Sequence, residues 1–144
     1  MQIQPYLSFN GRCEEALHFY RDHLGGQITA LMRFKENPDP PTDGSLPPGL
    51  DDKVMHSSIR IGDSEIMATD GGCTVGSGAP AFQGISLTLS VADEAEARQR
   101  FDALAQGGQV SMPLGPTFFS PSFGVLTDRF GVNWMVIVPA PMPG

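Results

Sequence analysis

The sequence predicts an α+β fold built from two tandem βαβββ modules, a curved mixed sheet with its helices outside. Three observations carry this. A strand-like run ending at Phe9-Asn10-Gly11 leads into the helical Cys13-Glu14-Glu15-Ala16-Leu17-His18-Phe19-Tyr20, and Ile85 to Asp93 leads in the same way into Glu94-Ala95-Glu96-Ala97-Arg98-Gln99-Arg100-Phe101. Both helices run out at paired glycines, Gly25-Gly26 and Gly107-Gly108. Each half then adds strand-like runs, closing on Glu65-Ile66-Met67-Ala68-Thr69 and Asn133-Trp134-Met135-Val136-Ile137. An internal repeat of this kind fixes the architecture before any single residue is read. Two half-cups of sheet would enclose one cavity, so function is expected between the halves.

Element by element, Ile3 to Phe9 alternates as a strand, with Leu7 and Phe9 on one side and Gln4, Tyr6 and Ser8 on the other. From about Arg12 to Leu24, Cys13, Ala16, Leu17, Tyr20 and Leu24 recur at helical spacing, and glycine stops the helix. Gln27 to Phe34 reads as the second strand. Glu36 to Asp52, with Asn37-Pro38-Asp39-Pro40-Pro41 and Pro47-Pro48-Gly49, cannot carry a ladder and is expected as a long surface loop, either a functional arm or a plain insertion. Val54 to Ile61 alternates, placing Met55, Ser57, Ile59 and Ile61 opposite His56, Ser58 and Arg60, and Gly62-Asp63 turns into Glu65 to Thr69.

Residues 71–83 are a glycine-rich linker, so the organisation is one domain over 1–144 with modules at 1–70 and 84–139. In the second module, Ile85, Leu87, Leu89 and Val91 form the apolar face of a strand whose other face is Ser86, Thr88 and Ser90. The helix from Glu94 to Gln106 carries acids in its first turn, where its dipole favours them, and buries Ala97, Phe101 and Leu104. Val110–Leu114, Ser122–Asp128 and Val132–Val138 complete the strands, and Pro139 to Pro143 is a short tail.

The chain's 144 residues are enough for one core, and a formal net charge of −7 with pI near 4.7 argues against nucleic acid or an anionic membrane as partner. No apolar stretch is long enough to span a bilayer. The N-terminus has no basic region followed by an apolar core, so no signal peptide is expected. Cys13 and Cys73 fit neither a disulfide framework nor zinc spacing, which points to a reducing cytoplasm.

The phrases Pro5-Tyr6-Leu7-Ser8-Phe9-Asn10-Gly11, Glu14-Glu15-Ala16-Leu17-His18-Phe19-Tyr20 and Leu24-Gly25-Gly26 resemble the glyoxalase/bleomycin-resistance superfamily, also called vicinal oxygen chelate (VOC). Val54-Met55-His56, Ile61-Gly62-Asp63-Ser64, Met112-Pro113-Leu114 and Phe123 to Met135 make the chain most similar to its PhnB-like branch. The resemblance spans nearly the whole chain and implies one VOC-type domain, a ligand-holding cup and a homodimer. It does not decide the activity, because the superfamily hosts isomerases, dioxygenases, thiol transferases and drug-sequestering proteins.

Enzymes of that superfamily hold a divalent metal on His, Gln and Glu from the first and last strands of a module. Counted onto this chain, those positions are Gln4 and Ser86 at the first strands and Met67 and Met135 at the last. Ser is a weak ligand and thioethers suit a hard cation poorly, so no metal or other cofactor is expected. No glycine-rich nucleotide turn links a strand to a helix either, which leaves a methyltransferase reading unsupported.

Candidate ligand-binding residues are Tyr6, His56, Met67, Ser86, Thr88 and Met135, with Ser8 and Thr69 beside them; an apolar small molecule held by a few hydrogen bonds would suit such a lining. The two methionines are equally read as core filling. His56 could act as a general base or a binding donor, or serve structure alone. Arg33 could steer an anion or form a surface ion pair. Cys13 sits at a helix start but at core spacing, and is read as buried. Phe118 and Phe119 would close a cavity or bury in a dimer seam. Asp70 and Asp128, at turns, would accept from backbone N–H groups.

The leading function is therefore a metal-independent, cytoplasmic small-molecule-binding protein. The alternative is a metal-dependent lyase, isomerase or dioxygenase using Gln4 and His56 in a shifted register. An interaction module built around the Glu36–Asp52 arm is a third.

Overall fold

A computed structural model describes residues 1–38, 49–71 and 82–140. The strands and helices are β1 (Tyr6–Ser8), α1 (Cys13–Leu24), β2 (Gln27–Arg33), β3 (Val54–Ile61), β4 (Ser64–Thr69), β5 (Leu87–Ser90), α2 (Glu94–Ala105), β6 (Gln109–Gly115), β7 (Phe123–Thr127) and β8 (Asn133–Ile137). Phe34–Glu36, expected to continue the second strand at Phe34, is a short 3-10 turn. The chain divides into two compact units, Met1–Pro80 and Ala81–Gly144.

Both units have the same topology. The first sheet runs β1-β4-β3-β2 and the second β5-β8-β7-β6, each with one parallel pair, β1 with β4 and β5 with β8. In each, the first strand is released into its helix by an equivalent bond: the Phe9 amide donates to Thr69 O at 2.9 Å, and the Val91 amide to Ile137 O at 2.9 Å. The repeat seen in the sequence is thus a repeat of hydrogen-bond register. Two strands are shorter than their sequence pattern. β1 and β5 pair only over Tyr6–Ser8 and Leu87–Ser90, which leaves Ser86 outside the strand and Ile85 exposed rather than on the apolar face.

In the first unit α1 packs on β2 and β3. Its Cys13, Ala16, Leu17, Phe19, Tyr20 and Leu24 are buried, and Gly25 ends it at φ 68°, a left-handed turn that glycine takes without strain. Leu7, Phe9, Ile59 and Ala68 supply the sheet side of this core. Each fully buried large apolar side chain contributes about 1.5–3 kcal/mol. In the second unit α2 packs on β6, β7 and β8 through Ala97, Phe101 and Leu104. Gly124 is required there, because a Cβ on it would stand 2.6 Å from Phe101 Cε2 and 3.1 Å from Leu114 Cα.

The two helices begin differently. Asp93 caps α2 locally, its side chain accepting from the Glu96 amide at 2.8 Å. Arg12, at the same place before α1, makes no side-chain cap. The cap comes from Asp70, just past β4, which accepts from the Gly11 and Cys13 amides through Oδ1 at 2.8 and 2.9 Å and from the Val54 amide through Oδ2 at 3.0 Å. Asp128 does comparable work after β7: Oδ1 accepts from the Phe130 and Val132 amides, and Oδ2 from Trp134 Nε1 at 2.9 Å. Both carboxylates are buried, and the backbone role expected for them is what they perform.

Of the proline-rich arm, residues 39–48 lie outside the described residues, as does Cys73 in the linker. The two ends of the arm are clasped together. Phe34 N donates to Lys53 O, Lys35 N to Asp51 O, and the Lys35 and Asp52 side chains meet at 2.8 Å. No helix is long and apolar enough to cross a membrane among the described residues.

Candidate ligand-binding face

Strand alternation gives each sheet one face under its helix and one turned away from it. In the first unit the helix-side face is set by Ser57, whose Oγ donates to Ala68 O at 2.8 Å and lies 3.6 Å from Cys13 Sγ. The opposite face therefore carries Tyr6 and Ser8 of β1, Met67 and Thr69 of β4, and His56, Ser58 and Arg60 of β3. Register places Tyr6 beside Met67, Met67 beside Ser58, and His56 beside Met32 of β2.

Tyr6 reaches diagonally across this face. Its Oη lies 3.1 Å from His56 Nδ1, and the two rings stack with centroids 5.8 Å apart and 28° between planes. Tyr6 is 50% exposed and Met32 40% exposed, so the pair sits in the open beside a thioether. Ser8 and Thr69 hydroxyls are already spent on the fold. Ser8 Oγ donates to Gly71 O at 2.6 Å; Thr69 Oγ1 donates to Met55 O at 2.7 Å and accepts from the Gly71 amide. They hold the end of β4. Of the other polar groups on this face, Ser58 is buried and Arg60 stands opposite Glu65, while Tyr6 and His56 are joined to each other.

The equivalent face of the second unit carries Thr88 and Ser90, Met135 and Ile137, Phe123 and Val125, and Met112. Thr88 pairs with Met135 as Tyr6 pairs with Met67. His56 has Phe123 as its counterpart and Ser58 has Val125, so this face is apolar where the first is polar. Ser86 is exposed ahead of the strand and does not join it. Asn133 pins the incoming chain instead, its Nδ2 donating to Phe82 O and Ile85 O. Phe118 is fully exposed and meets Phe119 edge-on at 5.1 Å; Phe119 in turn meets Phe123 at 5.0 Å.

The metal positions of the superfamily can be tested on the donors present. Met67 and Met135 stand on the last strands opposite Tyr6 and Thr88, and Gln4 and Ser86 both precede their strands. Two thioethers, an amide and a hydroxyl do not form a site for a hard divalent cation. Among the described residues no group of three or more His, Cys, Asp or Glu side chains is gathered for a metal.

Arg33 forms an ion pair rather than facing a ligand. Its guanidinium meets Glu14 in a two-pronged contact, at 2.6 Å and 3.2 Å, and also donates to Asp52 O. That guanidinium holds the Glu14 carboxyl below the usual carboxylate range. Cys13 is fully buried, and burial is the main reason its thiol is pushed up to about 12; the Ser57 hydrogen bond lowers it, while Asp70 and Glu14 add to the rise. It is no nucleophile at neutral pH.

Residues 1–137 match the family described as 3-demethylubiquinone-9 3-methyltransferase. The chain belongs to that family. It is 34% identical to protein YjdN of Escherichia coli over 99% of both chains. Among solved structures it is similar to protein PA1353 from Pseudomonas aeruginosa, with 44% identity, a TM-score of 0.82, and 96% of this chain and 98% of that one covered. It is also similar to the PhnB protein from Bacillus cereus, provisionally described as a 3-demethylubiquinone-9 3-methyltransferase. There the identity is 31% and the TM-score 0.74, over 96% of this chain and 99% of that one. A glyoxalase/bleomycin-resistance/dioxygenase domain from Frankia shares the fold at 13% identity and a TM-score of 0.64, over 97% and 98% of the two chains. The chain is thus a PhnB-like member of the VOC fold group.

Proposed function

We propose that this protein binds a small, mostly apolar molecule without a metal, on the face of the first sheet turned away from α1. The observation that carries the reading is the Tyr6–His56 pair, hydrogen-bonded at 3.1 Å and stacked beside Met32 and Met67. A few fixed polar groups on an apolar floor are what such ligand sites use. Thioethers at both last-strand positions support metal independence. The methyl transfer in the family's description is not carried into this proposal. The turns from β1 to α1 and from β5 to α2, Phe9-Asn10-Gly11-Arg12 and Val91-Ala92-Asp93, hold no glycine-rich nucleotide loop.

The protein works in the cytoplasm as a homodimer in this reading. A buried free thiol suits a reducing compartment. The exposed Val110, Met112, Phe118 and Phe119 of the second unit would suit a subunit contact.

The test is metal analysis of protein purified without chelator or nickel, with calorimetric titration of zinc and manganese, followed by a thermal-shift screen of small molecules. The expected outcome is no stoichiometric metal, and stabilisation by apolar compounds that Tyr6→Ala and His56→Ala both weaken. A ligand at about 100 times its Kd adds about 2.7 kcal/mol, a shift such a screen detects. One metal per chain, lost on Gln4→Ala or His56→Ala, would overturn the proposal and place the chain with the metal-dependent lyases, isomerases or dioxygenases.

A further inference from the structure

We infer that the Tyr6–His56 pair is a locked hydrogen-bond donor that selects ligands presenting a carbonyl or oxyanion oxygen on a flat apolar body. The inference rests on the small-molecule reading above. A phenol donates more readily than it accepts from a neutral imidazole. When Tyr6 Oη donates to Nδ1 across the 3.1 Å contact, the imidazole proton must sit on Nε2. If the ring takes a second proton, Nδ1–H turns to donate to Tyr6 Oη and Nε2–H is unchanged. Nε2 is therefore a donor in both charge states, and a ligand meeting it must bring an acceptor.

The surroundings give the shape and exclude other handles. The Tyr6 ring lies at 28° to the imidazole and is half exposed, so a planar molecule can extend the stack. Met32 flanks His56 and Met67 flanks Tyr6, and thioethers pack well on aromatic rings. The hydroxyls of Ser8 and Thr69 are committed to backbone carbonyls and cannot compete as donors. Arg60 is four residues along β3, about 13 Å from His56 at strand rise, with Glu65 directly opposite it. Ser58, in register with Met67, is buried, which leaves His56 as the accessible donor beside the Tyr6 ring.

Acetophenone and α-methylstyrene are nearly isosteric and differ in a carbonyl oxygen against a methylene, so they are the probes. Each is titrated into the protein while His56 and Tyr6 resonances are followed, and long-range ¹H–¹⁵N spectra report the His56 tautomer. His56→Phe identifies its signals among the three histidines. The expected result is an Nε2–H tautomer and acetophenone binding tighter by on the order of fivefold, the worth of one net hydrogen bond. In His56→Phe that ratio falls to about one while α-methylstyrene still binds, and in Tyr6→Phe the tautomer preference weakens in a protein whose fold is kept. An Nδ1–H tautomer, or equal binding of both probes to the wild type, overturns the donor inference and leaves the small-molecule reading standing. Failure of both probes to shift any resonance on this face sinks the two together.

Discussion

Asp70 caps the helix that begins at Cys13: its Oδ1 accepts the Cys13 amide proton at 2.9 Å, from a position 57 residues further along the chain. The same carboxylate also takes the Gly11 and Val54 amides, so three segments meet on one buried side chain. Asp70→Ala leaves three amides without acceptor and is expected to cost about 2–4 kcal/mol. Asp93→Ala removes a local, exposed cap and should cost about 1 kcal/mol. Urea unfolding of both variants checks the contrast, and equal losses would mean that water replaces Asp70 without penalty.

Asp128 has a spectroscopic reporter, because it accepts from Nε1 of the single tryptophan, Trp134. Asp128→Ala should shift the native emission and lower stability by about 2–4 kcal/mol. Asp128→Asn, which keeps an acceptor, should lose less. An unshifted emission in the alanine variant would contradict the bond.

Cys13 supplies a prediction at alkaline pH. Its folded thiol is pushed up to about 12 from an ordinary value of 9.0, so the neutral thiol is what the fold stabilises. That contribution is complete below the unfolded value and is lost as pH rises from about 9 towards about 12. Wild-type stability should therefore fall through this window more steeply than that of Cys13→Ala. In a Cys73→Ser background, iodoacetamide should label native protein at least on the order of a hundredfold more slowly than urea-unfolded protein.

Gly108 is held by its neighbours. A Cβ there would run into the Thr127 carbonyl oxygen and come within 2.9 Å of the Asp128 backbone, and none of these atoms can rotate away. Gly108→Ala should cost more than about 2 kcal/mol, as overpacking against fixed backbone does. Gly115→Ala, with nothing within 4 Å of its Cβ position, should be near neutral; both are read from thermal midpoints.

Most of the element order was legible because it rests on local signals: alternation at Leu7 and Phe9, helical spacing at Ala16, Leu17 and Tyr20, glycine at 25. The pattern of β5 misled at its start. Ile85 and Ser86 continue the alternation of Leu87 and Thr88, but pairing begins only at Leu87 opposite Trp134, and the Ile85 carbonyl is taken by the Asn133 side chain instead. On the candidate face, alternation placed His56, Ser58 and Arg60 together, and the structure adds Met32 through an antiparallel register no local pattern specifies. The Tyr6–His56 bond is likewise non-local, since it depends on β1 lying parallel to β4 and on a diagonal reach across it. Nor could the chain's order tell that Ser8 and Thr69 hydroxyls serve Gly71 and Met55, which removes two of the polar groups a reading of residue types would offer to a ligand.

The pairing of β1 with β4 sets a timetable for a chain made from its N-terminus. Leu7 leaves the ribosome about 60 residues before Ala68, the residue it pairs with, an interval on the order of 3–12 s at ordinary elongation rates. Through that interval β1 has no strand beside it and α1 has no Asp70 to cap it. Until residue 70 emerges, the nascent first unit therefore lacks both the full β1–β4 pairing and the Asp70 cap of α1. Because Thr69 and Asp70 are neighbours in sequence, the last β1 pairing and the helix cap become available together.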